Sequence, residues 1–249
     1  QHGEIFHCHS HEALVEPGKL MVIDASLETN EHYASDFTRT YPTGGHFTTK
    51  QREVYQIVCD CNELAFNLTR PGITYREVHL AVARKMLEGL SGLGLVSGDL
   101  DTMVAEGIAG LFQPHGLGHN MGMDVHDMED LGENLVGYDD DQSRSPQLGL
   151  GSLRMARTLV PGNVLTDEPG IYFIPTLIDI WKAEGKHKDF INYEKLETYK
   201  DFGGIRIEDD LLITETGNRI LGRPIPKTIA EVETTCAEAR EWIRIPGLF

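Results

Sequence analysis

The chain has 249 residues, 40% hydrophobic and 24% charged, which is enough for a large core in one or two domains. Its formal net charge of −17 argues against binding to nucleic acid or anionic membrane. No apolar run approaches the ~18 residues of a membrane-spanning helix. The four cysteines, Cys8, Cys59, Cys61 and Cys236, form no disulfide framework, so reduced thiols and a cytoplasmic location are expected. Gln1 is not an initiator methionine and no leader-like segment follows it, so a fragment or processed product is expected.

Near the start, His7, His9 and His11 alternate with Cys8 among them, a spacing that puts the three imidazoles on one strand face. Pro17-Gly18 makes a turn, and Leu20-Met21-Val22-Ile23 reads as a buried strand ending at Asp24. A lone carboxylate is costly to bury, so Asp24 either caps a turn or meets a cation. Residues 27–34 read as a hairpin connection, and Ala34 to Tyr41 as the returning strand, with Asp36 in its first half. Thr48 and Gln51 form a capping box for a helix to Leu68, ended by Arg70-Pro71-Gly72. Thr74 and Glu77 box a second helix to about Leu90. A Gly-rich link leads to a short helix near 99–110. Residues 128–152 read as an acidic, irregular loop. After Pro161-Gly162 comes a strand to Glu168, then an excursion over 175–202 with a helix around 176–184. Residues 203–213 read as one strand, and the tail from Thr228 as a helix to about Arg244.

The segment His115 to Asp127 holds three histidines, three glycines and two aspartates. Pro114 argues against a helix through it, so a bent strand-loop that shows its imidazoles to one cavity is expected. Its glycines let backbone or ligand come close. There is also an internal repeat. Pro17-Gly18 and Pro161-Gly162 each lead into a strand with a carboxylate at its end, Asp24 and Glu168. Each is followed by a second strand with another carboxylate, Asp36 and Glu208. Two such halves would converge on one centre.

Four carboxylates in one pocket need counter-charge, and two divalent cations supply it. With one imidazole the ligand set becomes Asp24, Asp36, His119, Glu168 and Glu208. Its oxygen-rich character suits Mn²⁺ best, with Co²⁺ or Zn²⁺ as alternatives. Carboxylates can bridge two ions that share a water, whose pKa then falls toward ~7, so a bridging hydroxide is the expected nucleophile for hydrolysis. His7, His115 and His126 are left to bind substrate, move protons and stabilise a tetrahedral intermediate.

These residues resemble the "pita-bread" metallopeptidases, a family with methionine aminopeptidase, aminopeptidase P, prolidase and the metal-free creatinase among its members. The resemblance is carried by Ile23-Asp24-Ala25, Ser35-Asp36-Phe37-Thr38-Arg39-Thr40, His115-Gly116-Leu117-Gly118-His119, Val125-His126-Asp127, Glu168-Pro169-Gly170 and Arg206-Ile207-Glu208-Asp209-Asp210. It implies an α+β fold of two pseudo-symmetric halves, a curved antiparallel sheet with helices on its outer face, forming one catalytic domain over residues 1–249. It places the five metal ligands as above and lets Glu168 also shuttle a proton. It makes His7, His115 and His126 substrate and intermediate-stabilising histidines, and sets Arg206 beside the last ligand. His126-Asp127 points to the proline-specific branch. Gly151 to Arg157 resembles the prolidase segment whose first arginine, here Arg154, holds the C-terminal carboxylate of an Xaa-Pro dipeptide. The Phe37 to Thr40 strand looks more like aminopeptidase P.

Three departures stand out. Ala25-Ser26 follows Asp24, where relatives have a glycine second. The connection to Asp36 is one residue longer. The segments that precede His7 in relatives, with their separate N-terminal domain, are expected to be missing from this chain, as in a fragment. The resemblance thus implies a dinuclear hydrolase that cuts before proline, Xaa-Pro dipeptidase first and Xaa-Pro aminopeptidase second, with a dimer expected for the full-length protein. A metal-free binding module and a hydrolase of non-peptide substrates are the remoter alternatives.

Overall fold

The computed structural model describes residues 2–5 and 14–242, with side chains to 239. His7, with Cys8, His9 and His11, lies outside the described residues. Strands β1 (Leu20–Glu28) and β2 (Ala34–Pro42) form an antiparallel hairpin whose register runs unbroken from Leu20↔Pro42 to Glu28↔Ala34. The strand is longer than the apolar run, so Asp24 sits in its middle rather than at its end. The connection shrinks to residues 29–33, closed by the Thr29 N–H donating to the Tyr33 carbonyl at 2.9 Å. Asp24 lies opposite Thr38, and Ser26 opposite Asp36. Side chains alternate along a strand, so these four share one face of the hairpin.

Helices α1 (Thr49–Leu68) and α2 (Tyr75–Gly92) both start at the expected capping boxes, Thr48 with Gln51 and Thr74 with Glu77. Each box satisfies amide groups that a helix start leaves unpaired. The two helices bury Val54, Val58 and Ala65 with Val78, Val82 and Leu90, all essentially without solvent contact. Asp99 caps a shorter helix, α3 (Leu100–Ala105). The acidic stretch after the histidines is irregular, as expected, apart from one turn of α-helix, α4 (Glu133–Val136), and two short 3₁₀ turns, Glu129–Leu131 and Leu150–Ser152. No helix among the described residues is long and apolar enough to cross a membrane.

The second half holds β3 (Val164–Asp167), β4 (Gly170–Tyr172), α5 (Pro175–Glu184), α6 (Tyr193–Glu197), β5 (Gly204–Arg206), β6 (Asp209–Ile213), β7 (Asn218–Ile220) and α7 (Ile229–Trp242). The expected single strand over 203–213 is two strands. β5 pairs with β4, and β6 pairs with β3 and β7. The break falls at Ile207 and Glu208, whose N–H groups donate to Pro169 at 3.3 Å and to Thr38 at 3.0 Å. The backbone there leaves one partner for another, which turns the Glu208 side chain toward the first hairpin. β4 and β7 have three residues each, too short for a period to show in sequence.

The internal repeat holds for the turns and the strand pairing, with the correction that Glu168 and Glu208 lie just outside the paired strands, after β3 and before β6. Gly18 and Gly162 both adopt left-handed φ, +81° and +94°, and each turn feeds a strand that pairs antiparallel with the next carboxylate-bearing strand. The halves meet where β2 runs beside residues 206–210. Thr40 and Arg206 exchange bonds at 2.9 and 3.1 Å. Arg39, 2% exposed, donates to Asp209 at 2.6 Å, and Lys227 donates to its other oxygen at 2.8 Å. Burial opposes ionisation of Asp209, but these two cations outweigh it and hold its pKa below the usual value.

Candidate metal centre

The histidine stretch runs antiparallel beside β3. Thr166 N–H donates to His119 carbonyl at 3.0 Å, Met121 N–H to Val164 at 3.0 Å and Glu168 N–H to Leu117 at 2.9 Å. The approach is close enough to require glycine. A Cβ on Gly118 would stand 2.0 Å from the Thr166 carbonyl oxygen, and one on Gly116 2.6 Å from Leu153 Cα. The bent, extended path expected for this segment is therefore present, and it carries His119 inward.

There His119 meets Asp36 and Glu208. One ligand atom from each lies within 4.8 Å of the others, and all three residues are buried. Nε2 of His119 is 3.5 Å from Asp36 and 3.6 Å from Glu168. Its Nδ1 stands 3.0 Å from the Asn120 carbonyl, which accepts its hydrogen bond, so Nε2 is the nitrogen that faces the carboxylates. Supporting groups orient the acids. Ser26 donates to Asp36 at 3.2 Å, Thr38 to Glu208 at 2.5 Å and Thr166 to Glu168 at 3.3 Å.

The electrostatics show the strain of this gathering. Burial, then Glu168 and Asp36, raise Glu208 well above its ordinary value. Burial and Asp36 raise Glu168 against the pull of His119 and Arg206. Asp210 accepts the Asp36 N–H at 3.1 Å and is pushed up to about 7, chiefly by burial. Burial works against the His119 cation, but Asp36 and Glu168 outweigh it and raise its pKa. Buried acids with one inward-facing imidazole are a donor set that fits hard or borderline divalent cations.

Asp24 stands apart from this group. Its carboxylate, 38% exposed, pairs with Arg206, which also lies 3.7 Å from Glu208. Arg206 is 6% exposed and donates further to Thr38 at 3.0 Å and Tyr172 at 3.2 Å. His115 is partly buried, with Nδ1 3.7 Å from Glu168 and Nε2 3.0 Å from the Tyr172 hydroxyl. Burial and Arg206 drop its pKa to about 3, so it is neutral. His126 is exposed but stacks edge-on against His119, ring centroids 4.3 Å apart. Arg154 lies beside it, 3.3 Å from His126 Nδ1, and pairs with Glu129 and Glu133. The structure thus brings Asp36, His119, Glu168 and Glu208 together, lines Asp24, Arg206, His115, His126 and Arg154 around them, and leaves His7 outside the described residues. Sequence reasoning missed Tyr172, Thr38, Thr166 and Ser26. Only their places beside recognised motifs could have signalled them, because a lone hydroxyl carries no pattern.

The model of metallopeptidase family M24 matches residues 1–215. Human Xaa-Pro dipeptidase is 40% identical over 205 residues, 82% of this chain and 40% of that protein. Escherichia coli Xaa-Pro aminopeptidase is 38% identical over 241 residues, 97% of this chain and 46% of its own length. A solved structure of zinc-substituted E. coli aminopeptidase P in complex with product superposes with a TM-score of 0.74 at 37% identity, covering 96% of this chain and 46% of that one. This chain therefore spans less than half the length of these relatives. The fold is the pita-bread fold expected from the motifs, and the chain belongs to metallopeptidase family M24.

Proposed function

We propose that residues 1–249 form the catalytic unit of a dinuclear-metal hydrolase that cleaves the peptide bond before proline, as an Xaa-Pro dipeptidase. The observation that carries the reading is the buried group of Asp36, His119 and Glu208, with Glu168 in contact through His119. Asp36, His119, Glu168 and Glu208 would hold two divalent ions, and Asp24 would join them on leaving Arg206. Mn²⁺ suits this set best, with Co²⁺ or Zn²⁺ as alternatives. When bound, the ions would offset the gathered negative charge and acidify an attacking water.

The chain's own groups do the rest. Glu168, whose raised pKa suits it to carry a proton, takes one from the water at its carboxylate and passes it to the departing proline nitrogen. His126, stacked on His119, flanks the scissile carbonyl and steadies the oxygen that gains charge, while neutral His115, its Nδ1 hydrogen toward Gly116, lines the substrate side. By the resemblance, His7 would also bind substrate. Arg206 fixes the edge of the site, and Arg154 meets the carboxylate that follows proline in a dipeptide. A small peptide with proline second is thus the substrate, and the full-length enzyme is a cytoplasmic homodimer.

A second reading is favoured by one observation. Arg154 is already paired with Glu129 and Glu133, which suits a substrate with no carboxylate there, as for an Xaa-Pro aminopeptidase. Turnover of Gly-Pro against Arg-Pro-Pro, with Mn²⁺ added, separates the two. Cleavage mainly of the dipeptide supports the first reading, and cleavage mainly of the tripeptide supports the second. Cleavage of neither by metal-loaded protein sinks both.

A further inference from the structure

We propose that Glu129 determines specificity, by competing with the substrate's carboxylate for Arg154 and by accepting a peptide N–H in longer substrates. The proposal rests on the reading that Arg154 faces the residue just after the scissile bond. Arg154 donates from one terminal nitrogen to Oε2 of Glu129, and the same nitrogen is 3.5 Å from Glu133. Glu133 is shared with Arg144 on its other oxygen. Two arginines thus face two glutamates, and the group as a whole offers an incoming carboxylate no net positive charge.

The placing of Glu129 is specific. Its side chain is 15% exposed, while Met128 and Leu131 on either side are 47% and 69% exposed. Met128 takes a left-handed backbone, φ 59°, and the single 3₁₀ turn Glu129–Leu131 that follows sends the glutamate inward. Its Oε2 is 3.8 Å from His126 Nδ1, and His126 stacks on His119. Glu129 therefore stands one ring, that of His126, from the metal group. Its Oε1 is buried and has no hydrogen-bond partner among the described residues. An acceptor left so is costly unless a ligand supplies a donor.

The two charges together match an amide. In a substrate longer than a dipeptide, the carbonyl of proline can accept from Arg154 while the next N–H donates to Oε1 of Glu129. In a dipeptide a carboxylate stands there, and it must displace or sit against the glutamate. Glutamate therefore weakens dipeptide binding while leaving the arginine in place to serve both substrates.

The test compares Gly-Pro with Gly-Pro-amide, which differs only in lacking the carboxylate, on metal-loaded wild type, Glu129→Gln and Arg154→Ala. Glu129→Gln should lower KM for Gly-Pro about fivefold, the scale of a partly exposed ion pair, and raise KM for Gly-Pro-amide, whose N–H loses its charged acceptor, so that the two substrates move in opposite directions. Glu129→Asp, which retains the charge but draws it back, should shift KM the same way by less and covers the case in which the glutamine variant does not fold. An unchanged or higher KM for Gly-Pro, or equal changes for both substrates, overturns the proposal and makes Glu129 a brace for Arg154. Arg154→Ala separates the two levels. If it raises KM for Gly-Pro alone while Glu129→Gln does nothing, the arginine reading stands and this proposal falls. If it leaves Gly-Pro untouched, both fall.

Discussion

The hydroxyl of Tyr172 lies 3.0 Å from Nε2 of His115 while Arg206 donates into the same oxygen at 3.2 Å. Nδ1 of His115 stands 2.6 Å from the Gly116 carbonyl and must carry the hydrogen, so Nε2 accepts and the tyrosine donates. One fully buried hydroxyl thus fixes the ring of a candidate catalytic histidine and ties it to the arginine that holds Asp24. Tyr172→Phe keeps the packing and removes both bonds. We expect kcat to fall about tenfold with a smaller change in KM, and stability to fall by about 1–2 kcal/mol. Steady-state kinetics beside thermal melts check this; a kcat equal to wild type would remove Tyr172 from the site.

Divalent ions should bind with release of protons. Burial and neighbouring acids raise Glu168 and Glu208, so both hold protons more readily before an ion arrives and lose them to it. Affinity for Mn²⁺ should therefore rise with pH. Calorimetric titration in two buffers of different ionisation enthalpy measures the protons directly, with two ions per chain expected. Loading to a hundred times Kd should stabilise the fold by about 2.7 kcal/mol for each ion bound. Glu208→Gln should weaken binding; the same affinity in that variant would place the metal elsewhere.

Gly118→Ala should be among the most damaging small changes. Its added methyl would press on the Thr166 carbonyl, which is strand backbone and cannot turn aside. The histidine stretch would have to lift from β3, with loss of the Thr166 hydroxyl bond to the His119 N–H at 3.0 Å. We expect about 3 kcal/mol of destabilisation. Denaturant unfolding measures it, and metal titration of the folded variant should show weaker binding as His119 shifts.

His79 gives the pH dependence of stability a definite sign. Burial, with help from Arg76, lowers its pKa to about 4 from the ordinary 6.5. The unfolded chain binds the proton more readily, so this contribution is complete above pH 6.5 and is lost as pH falls toward 4, about 3 kcal/mol in all. Nδ1 of His79 has no hydrogen-bond partner among the described residues, so His79→Leu removes a buried polar atom without orphaning another. The variant should match wild type near pH 7 and lose less stability on acidification. An identical acid slope would show that His79 titrates in the fold as it does when unfolded.

What was legible in the sequence follows from what sequence can encode. The capping boxes at Thr48 and Thr74 are local hydrogen-bond patterns, and both helices begin where these place them. The paired Pro-Gly turns gave the two-fold plan because each is a local device repeated. Glu208 was found by its motif, but the break that aims it was not, since it depends on bonds to Thr38 and Pro169, far away in sequence. Asp24 was placed at a strand end because the apolar run stops there. In the fold, pairing with β2 continues past it, since cross-strand partners and not hydrophobicity decide where β1 ends. The pairing of Arg154 with Glu129 and Glu133 was equally hidden, because a loop of irregular path carries no period from which contacts can be read.

Asp36, His119, Glu168 and Glu208 arrive from four separate stretches of chain, and no two are near enough in sequence to grip an ion together before folding. The unfolded chain therefore competes poorly for metal, and nearly the whole binding energy counts as folding energy. In a cell short of that metal, the shortage would register first as lost protein rather than as idle enzyme, since the copies left unfilled are the ones that open most often and reach the proteases first.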